Sequence, residues 1–416
     1  MAVHIPQNRP RKVTIGPLEA PLDVIGSVSD TPTTEQPDPL SGMNLLRPAL
    51  GEDSLTSEFR DEKVTEKDYR ALVDEKIFQE IPEFPLPQPL ADEGLPQQPK
   101  YSDDSTLANL IRCRKYLTAL QVTQKGLLTT EPVLSSLPDI FSLWQTRLRL
   151  FDYLRLPQLA IQELSLLPDI VTPGPEFLNN DGRTVVLWSL RVEIVRVKAL
   201  AAQNQVQGWE IAIKEYYALS TEARGELARA KRASDAEHAA LWAERLEGLG
   251  FAVLSALIAI RDYPTAIHRL QAMLASTPLN NKLRTALCLT YLRLGNVASA
   301  RTYAGEDSSL LALVSMADGQ WSDATRAAAL DEAHSTALNR TVAALYRGDI
   351  EESTTQLRSL LSSTNPAISS TTLESALYNL CTINELRTKG MDLKKQLATE
   401  YSRECRESGR WEVFKV

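Results

Sequence analysis

The chain has 416 residues, a formal net charge of -8, and ordinary fractions of hydrophobic (43%) and charged (24%) residues, so a wholly disordered chain is excluded. The negative balance disfavours nucleic acid and anionic membrane surfaces as primary partners. Glycine is scarce, with 18 residues, which argues against glycine-rich loops and most all-β folds. These observations favour a scaffold or binding protein.

Proline and negative charge are concentrated at the N-terminus. Residues 1–100 contain 14 of the 23 prolines and carry the whole net charge, because acidic and basic residues balance in the rest of the chain. We therefore expect a Pro-rich, acidic and largely disordered arm over residues 1–103. Within it, residues 65–79 are predicted to form one short helix, because their apolar side chains fall on one helical face.

The proline-rich run at residues 81–90 must follow an extended path. It is either a stiff linker or a docking peptide that uses Phe84 and Leu86 as its anchors. Residues 12–26 are a second candidate docking peptide, because apolar side chains lie between prolines there. Deletion of residues 1–100 is predicted to leave the rest of the chain folded.

The four cysteines, Cys113, Cys288, Cys381 and Cys405, show neither zinc-ligand spacing nor a CxxC redox pair. The first three lie on apolar helical stripes, where cysteine usually acts as a small buried hydrophobe, and free thiols suit a reducing compartment. The N-terminus lacks the apolar core of a secretory signal, and the longest apolar stretch, Leu249–Ile260, is too short to cross a bilayer. We therefore expect a cytoplasmic protein without an integral membrane segment.

A helical repeat is recognisable in the middle of the chain. Tyr263, Ala266, Leu270 and Pro278 have the spacing of the second half of a tetratricopeptide (TPR) repeat. The small Ala266 allows the two helices of the repeat to approach closely, and the proline ends the second helix. Ala300 follows Ala266 by 34 residues, the length of one TPR repeat.

This frame predicts an all-α fold, a TPR-like α-solenoid of helix-turn-helix repeats over residues 104–389, with a capping helix and tail at 390–416. The turn at Gly319 follows the turn at Gly295 by only 24 residues, so a full repeat at residues 305–331 stays an open question. The residues expected to pack the repeats are Trp144, Leu148, Ala160, Trp242, Tyr263, Ala266, Cys288, Tyr291, Gly295, Ala300, Asn339, Gly348 and Asn379.

Two boxes of matching sequence, LW-x2-RL, occur at residues 143–148 and 241–246. Near the C-terminus, the run ESALYNL at residues 374–380 is followed by an EL pair and then by a KKQ triplet. In this order the elements resemble the family of TPR-containing twelfth subunits of the TRAPP (transport protein particle) vesicle-tethering complex. The resemblance covers about residues 105–400.

The resemblance implies a non-catalytic scaffold subunit of a TRAPP-type assembly in ER-to-Golgi traffic and autophagy. Its partners would be other TRAPP subunits, especially the large arm subunit eleven, and indirectly the Rab-family small GTPase on which the assembly promotes nucleotide exchange. The protein would then be one chain of a hetero-oligomer. It would be cytoplasmic and would reach early Golgi or ER-Golgi membranes peripherally, through the complex.

The sequence carries no recognisable catalytic motif. It lacks a P-loop, a G-x-G-x-x-G turn, a G-x-S-x-G elbow and an HExxH pair, so we expect no enzymatic activity, no cofactor and no metal. The alternative function is a free-standing TPR adaptor or co-chaperone that binds a peptide tail. The cationic clamp that would hold a C-terminal carboxylate is missing from every repeat frame.

TPR stacks usually bind partners on the concave face formed by the first helices of the repeats. In the second repeat of the strict frame, that face carries the candidate partner-binding residues Lys282, Thr285, Leu292 and Arg293. Ala300→Glu, like the same change at Ala266, is predicted to place a charge in the helix crossing and to cause misfolding.

Overall fold

Helices make up nearly all of the regular structure. The computed structural model describes residues 69–82, 106–113, 115–178, 184–277, 280–330, 334–362, 370–386, 389–401 and 411–415. The α-helices are α1 (Leu107–Arg112), α2 (Tyr116–Thr129), α3 (Leu137–Tyr153), α4 (Pro157–Leu166), α5 (Trp188–Ala201), α6 (Gln205–Arg232), α7 (Ala236–Ala259), α8 (Tyr263–Ser276), α9 (Asn281–Arg293), α10 (Val297–Ala304), α11 (Ser308–Ala317), α12 (Trp321–Ala328), α13 (His334–Arg347), α14 (Ile350–Ser362), α15 (Ser370–Glu385) and α16 (Gly390–Glu400).

The helices pack as consecutive pairs. Each odd-numbered helix packs against the even-numbered helix that follows it, and odd-numbered neighbours such as α11 and α13 also touch along the stack. Across the described ranges there is no β-strand, only an isolated bridge between Leu178 and Thr184. Stacked helical hairpins of this kind define the TPR-like solenoid, so the predicted all-α, TPR-like fold is confirmed.

The turn inside a hairpin has the same backbone form in five of the repeats. Gly295, Gly319 and Gly348 adopt positive φ angles of 79°, 73° and 95°, and Arg155 and Arg261 adopt φ angles of 56° and 63° at the equivalent turns. In each turn this residue and the next donate backbone hydrogen bonds to the end of the preceding helix, which is the left-handed cap that favours glycine. These five hairpins therefore share one turn, and arginine replaces glycine in two of them, whereas α5 and α6 are joined without a left-handed residue.

This shared turn predicts opposite effects for two substitutions. Arg261→Gly should stabilise the fold by up to about 1 kcal/mol, because it removes the cost of a left-handed conformation in a residue with a Cβ. Gly348→Ala should destabilise it by about 1 kcal/mol. This cost would come from backbone strain alone, since the added Cβ would meet no atom within 4 Å. Urea denaturation followed by circular dichroism measures both changes, and destabilisation by Arg261→Gly would contradict the assignment.

The small residues of the frame lie inside the hairpins. Ala266, Ala300 and Cys288 are fully buried. Ser353, which replaces the usual alanine of the repeat, is buried too, and its hydroxyl donates a hydrogen bond to the Thr341 carbonyl at 2.9 Å. Other buried residues of the frame are Trp144, Leu148, Ala160, Trp242 and Asn339.

Ala160 is fully buried on α4. Half-buried residues of the frame are Tyr263, Tyr291 and Asn379.

The repeat at residues 305–331 is short but complete over its described residues. Its helices α11 and α12 span ten and eight residues, and they pack against each other around the Gly319 turn. The 24-residue spacing of the turns therefore reflects shortened helices and not a missing hairpin.

The expected helix at residues 65–79 is wrong over its described part, which begins at residue 69. Residues 69–82 form two 3₁₀ turns, Arg70–Leu72 and Glu75–Ile77, joined by extended backbone. Asp74 interrupts the helix because it adopts an extended conformation, and its carboxylate accepts a hydrogen bond from the Lys76 backbone N–H. The apolar side chains of this segment point into the core of the first repeats.

The expected boundary of the arm also changes. Tyr69, Leu72 and Ile77 are only 3%, 1% and 3% exposed and belong to the same hydrophobic core as the first repeats. Residues 69–82 are therefore part of the folded body. Deletion of residues 1–100 would remove this part of the core.

A charged stretch at residues 221–232 forms the last part of helix α6, which is 28 residues long and ends at Arg232. Ala223, Leu227 and Ala230 are nevertheless buried, because α6 packs along α7. Only part of this helix surface faces solvent.

The C-terminal residues return to the last hairpin. The 3₁₀ turn Trp411–Phe414 packs against α15 and α16, and Lys394 donates hydrogen bonds to the Glu385 carboxylate at 2.7 Å and to the Lys415 carbonyl at 3.0 Å. These contacts support the proposal that residues 390–416 cap the stack. None of the described helices is both long and apolar enough to span a membrane.

Candidate functional site

The first LW-x2-RL box holds an extended segment of the same chain. The indole Nε1 of Trp144, on α3, donates a hydrogen bond to the Leu72 carbonyl at 2.9 Å. The Phe78 ring stacks on the Trp144 ring with centroids 5.7 Å apart and an interplanar angle of 10°. One tryptophan therefore binds residues 69–82 through both its polar edge and its face.

A buried ion pair fixes the other side of this segment. Arg147 and Glu163 are both fully buried, and the Arg147 Nε and Nη2 donate to the two Glu163 oxygens at 2.7 and 2.6 Å. The Arg147 guanidinium lies 5.0 Å from the centre of the Phe78 ring, and Glu163 Oε1 also accepts from the Gln79 backbone N–H at 3.0 Å. Arg147 Nη1 donates in addition to the Leu120 carbonyl at 2.9 Å. The pair is thus saturated with hydrogen bonds, as a buried ion pair requires.

The second box has a related geometry. The ring of Trp242, on α7, meets the Trp188 ring of α5 edge to face, with centroids 5.3 Å apart. The Arg245 guanidinium lies 4.5 Å from the Trp242 ring centre and 5.9 Å from that of Trp188. In the first box the Arg147 guanidinium likewise lies 5.0 Å from the centres of two rings, those of Phe78 and Phe151. Each arginine therefore lies over two aromatic rings, an arrangement that favours the cation, but only in the second box is one of them the box tryptophan.

The two boxes differ in the origin of the ring that contacts the box tryptophan. Phe78 supplies it in the first box from an extended segment, and Trp188 supplies it in the second box from a helix. Residues 69–82 therefore take the place that a preceding helix would fill. The boxes are packing units that join one repeat to the element before it.

The candidate partner-binding residues share one face of α9. Lys282 and Arg293 are exposed, and Thr285 and Leu292 are half-buried; their spacing places all four within about a third of the helix circumference. Burial raises the pKa of Glu247 on α7, and the positive charge of Lys282 partly opposes this effect. The positive charge of Lys282 on α9 therefore acts on the Glu247 carboxyl of α7.

Several predicted features lie outside the described residues: Phe84, Leu86, Pro278, Cys405 and the segment at residues 12–26.

An open cleft of about 530 Å³ lies at the turn between α13 and α14, with Ile350 and Leu386 among its lining residues. Two of its acidic residues, Asp349 and Glu352, are ion-paired with Arg347. The cleft thus lacks the converging unpaired polar groups of a catalytic site.

The buried thiols are poorly suited to chemistry. Burial raises the pKa of Cys288 to about 12 and that of Cys381 to about 11, so both stay protonated and unreactive at neutral pH. Cys113 differs from the expectation of a buried cysteine, because it is exposed at the end of α1. Among the described residues, no group of three or more His, Cys, Asp or Glu side chains is placed to hold a metal ion.

Sequence reasoning missed the partners of the first box, Phe78 and Glu163. The box itself marked Trp144 and Arg147, but Glu163 follows Arg147 by 16 residues and Leu72 precedes Trp144 by 72. A glutamate at an otherwise apolar position of α4 was the available signal, because a buried charge needs a partner.

The comparisons with known proteins found similarity among solved structures only. No protein-family model matches the chain, and no curated protein sequence matches it either. Among solved structures, the chain is similar to the crystal structure of the TPR domain of P58(IPK), with 13% sequence identity and a TM-score of 0.21. The match covers 74% of this chain and 94% of that domain. The fold assignment rests on the helix pairing and the repeated turns described above.

Proposed function

We propose that the protein is a non-catalytic scaffold that acts through protein-protein contacts of its solenoid. The observation that carries this proposal is the first box, where the repeats bind an extended protein segment through a tryptophan, an ion pair and backbone hydrogen bonds. TPR-like repeats present such surfaces along their whole length.

We further propose that the assembly is a TRAPP-type tethering complex in ER-to-Golgi traffic and autophagy. The support is the resemblance of the two boxes and of the ESALYNL helix, in that order along the chain. The proposed neighbours are other TRAPP subunits, especially subunit eleven, with an indirect effect on a Rab-family GTPase. The protein would act at early Golgi or ER-Golgi membranes as a peripheral member of the complex.

The proposed partner surface is the face of α9 that carries Lys282, Thr285, Leu292 and Arg293. Lys282 and Arg293 are exposed cations and Leu292 is a partly exposed apolar side chain, a combination that suits a protein interface with a polar rim. Reversal of both charges should weaken partner binding without unfolding the helix, because neither side chain is buried.

The test is affinity purification of the tagged protein from its native cells, followed by mass spectrometry. We expect TRAPP core subunits and subunit eleven with the unaltered protein, and a loss of about tenfold or more with Lys282→Glu combined with Arg293→Glu. Lys214→Glu, an exposed site on α6, is the matched control and should retain the partners. Recovery of chaperones in place of TRAPP subunits would refute the TRAPP assignment and favour the adaptor function.

A further inference from the structure

Arg269 on α8 is a buried cation without an acidic partner. Its side chain is only 4% exposed. Its Nη1 donates to the Tyr217 hydroxyl at 3.1 Å, but Nε and Nη2 are buried and have no hydrogen-bond partner in the described structure. A guanidinium carries five N–H donors, so most of its hydrogen-bonding capacity toward an anion is unused.

A second arginine faces the same place. Tyr217 and Arg224 are seven residues apart on α6 and therefore lie on one face of that helix. The Nε of Arg224 is also buried without a partner. Burial, and then the positive charge of Arg269, lowers the pKa of Arg224, so the two guanidinium groups are close enough to repel each other.

The neighbouring carboxylates of α6 are engaged elsewhere. Glu222 forms a bidentate ion pair with Arg191, and Glu226 pairs with Arg229. Both α6 and α8 pack against α7, and the Arg269 side chain reaches from α8 to the Tyr217 hydroxyl on α6. This contact between α6 and α8 therefore brings together two cations whose charge is not compensated within the described residues.

Such an arrangement is costly without a ligand. A buried charge that lacks a counter-ion destabilises a protein, whereas two neighbouring arginines match the two oxygens of a carboxylate. We propose that Arg224, Arg269 and Tyr217 form a binding site for a carboxylate side chain of an acidic peptide segment from a partner protein.

The charge distribution favours an acidic peptide over a nucleic acid. The chain has a net charge of -8, and this site contains two arginines and not the extended basic stripe that a phosphate backbone needs. The inference rests on the proposed scaffold function, but its test involves no TRAPP subunit, so either proposal can fail alone.

The probe is a capped peptide of alternating glycine and glutamate, compared with its glutamine counterpart by isothermal titration calorimetry on the full-length protein at low ionic strength. We expect the glutamate peptide to bind and the glutamine peptide to fail. Arg269→Met and Arg224→Met should each weaken binding about ten- to a hundredfold, as expected for the loss of a charged hydrogen-bonding partner. Arg232→Met, at an exposed site on α6, the helix of Arg224, is the control variant. It should bind the peptide like the unaltered protein.

A thermal melt separates a binding role from a structural role. Without peptide, Arg269→Met should melt at an equal or higher temperature, because methionine fills similar space without a buried charge. The glutamate peptide should raise the melting temperature of the unaltered protein and leave that of Arg269→Met unchanged.

Three results would overturn the proposal. Equal binding of the peptide by Arg269→Met and the unaltered protein would place the binding elsewhere. Binding of inorganic phosphate with no binding of the glutamate peptide would assign the site to a different ligand. Failure of the peptide to bind, together with a lower melting temperature for Arg269→Met, would mean that an anion of the protein's own chain fills the site.

Discussion

Deletion of residues 1–82 should destabilise the first repeats, whereas deletion of residues 1–68 should leave them folded. The longer deletion exposes the core that Leu72 and Ile77 cover, and it removes the carbonyl that accepts the Trp144 hydrogen bond. Burial of a single large apolar side chain contributes about 1.5–3 kcal/mol, so we expect a loss of about 4 kcal/mol or more. This result replaces the expectation that residues 1–100 are dispensable.

Hydrogen exchange locates the effect. In the longer deletion, the amides of α3 and α4 should exchange faster, while those of α13 and α14 should be unchanged, because the repeats of a solenoid contact mainly their neighbours. Equal protection of α3 in both deletions would contradict the role of residues 69–82.

Point variants test the same segment without truncation. Phe78→Ala removes the ring that stacks on Trp144 and should destabilise the fold by about 2–4 kcal/mol, near the lower end for aromatic truncations because Phe78 is half-buried. Lys76→Ala is the matched control, since this side chain is exposed in the same segment. Similar urea midpoints for the two variants would show that the stacking contributes little.

Neutralisation of one member of the buried ion pair should have a comparable effect. Glu163→Gln leaves the fully buried Arg147 without its counter-charge, and Arg147→Met leaves the carboxylate of Glu163 buried with fewer donors. Removal of one partner of a buried pair typically costs about 3–5 kcal/mol. Urea denaturation of each variant measures the free energy of unfolding.

The double variant distinguishes pairing from packing. Arg147→Met combined with Glu163→Leu removes both charges and should recover a large part of the stability that either single variant loses, because no unpaired charge remains. Arg326→Met tests an exposed pair with Asp323, and it should change the stability little. Additive losses in the double variant would show that the two side chains do not act as a pair.

The repeat pattern predicted the fold well because it depends on local spacing. Ala266 and Ala300 mark the same position in successive hairpins, and both are fully buried. The glycine turns at Gly295 and Gly319 were predicted for the same reason, since glycine readily adopts a positive φ. The equivalent turn at Arg261 was not predictable, because an arginine gives no signal of a left-handed conformation.

The docked segment could not be predicted because its contacts are remote in sequence. The polar and proline-rich composition around residues 69–82 suggested an arm, but Leu72 contacts Trp144 across 72 residues. The periodicity of apolar residues predicts which face of a helix is buried. It does not predict which distant residues an irregular segment contacts. The Arg224 and Arg269 pair was hidden for the same reason, since it joins two helices that are not consecutive.

The scaffold proposal is tested most directly by the mass of the native particle. Gel filtration of a native cell extract, with detection of the untagged protein, gives this mass without disturbing the assembly. We expect elution in a particle of several hundred kilodaltons, on the order expected for a multi-subunit complex. Elution of the whole population near the 46.2 kDa of the single chain would contradict the proposal that the protein acts as a stable scaffold subunit.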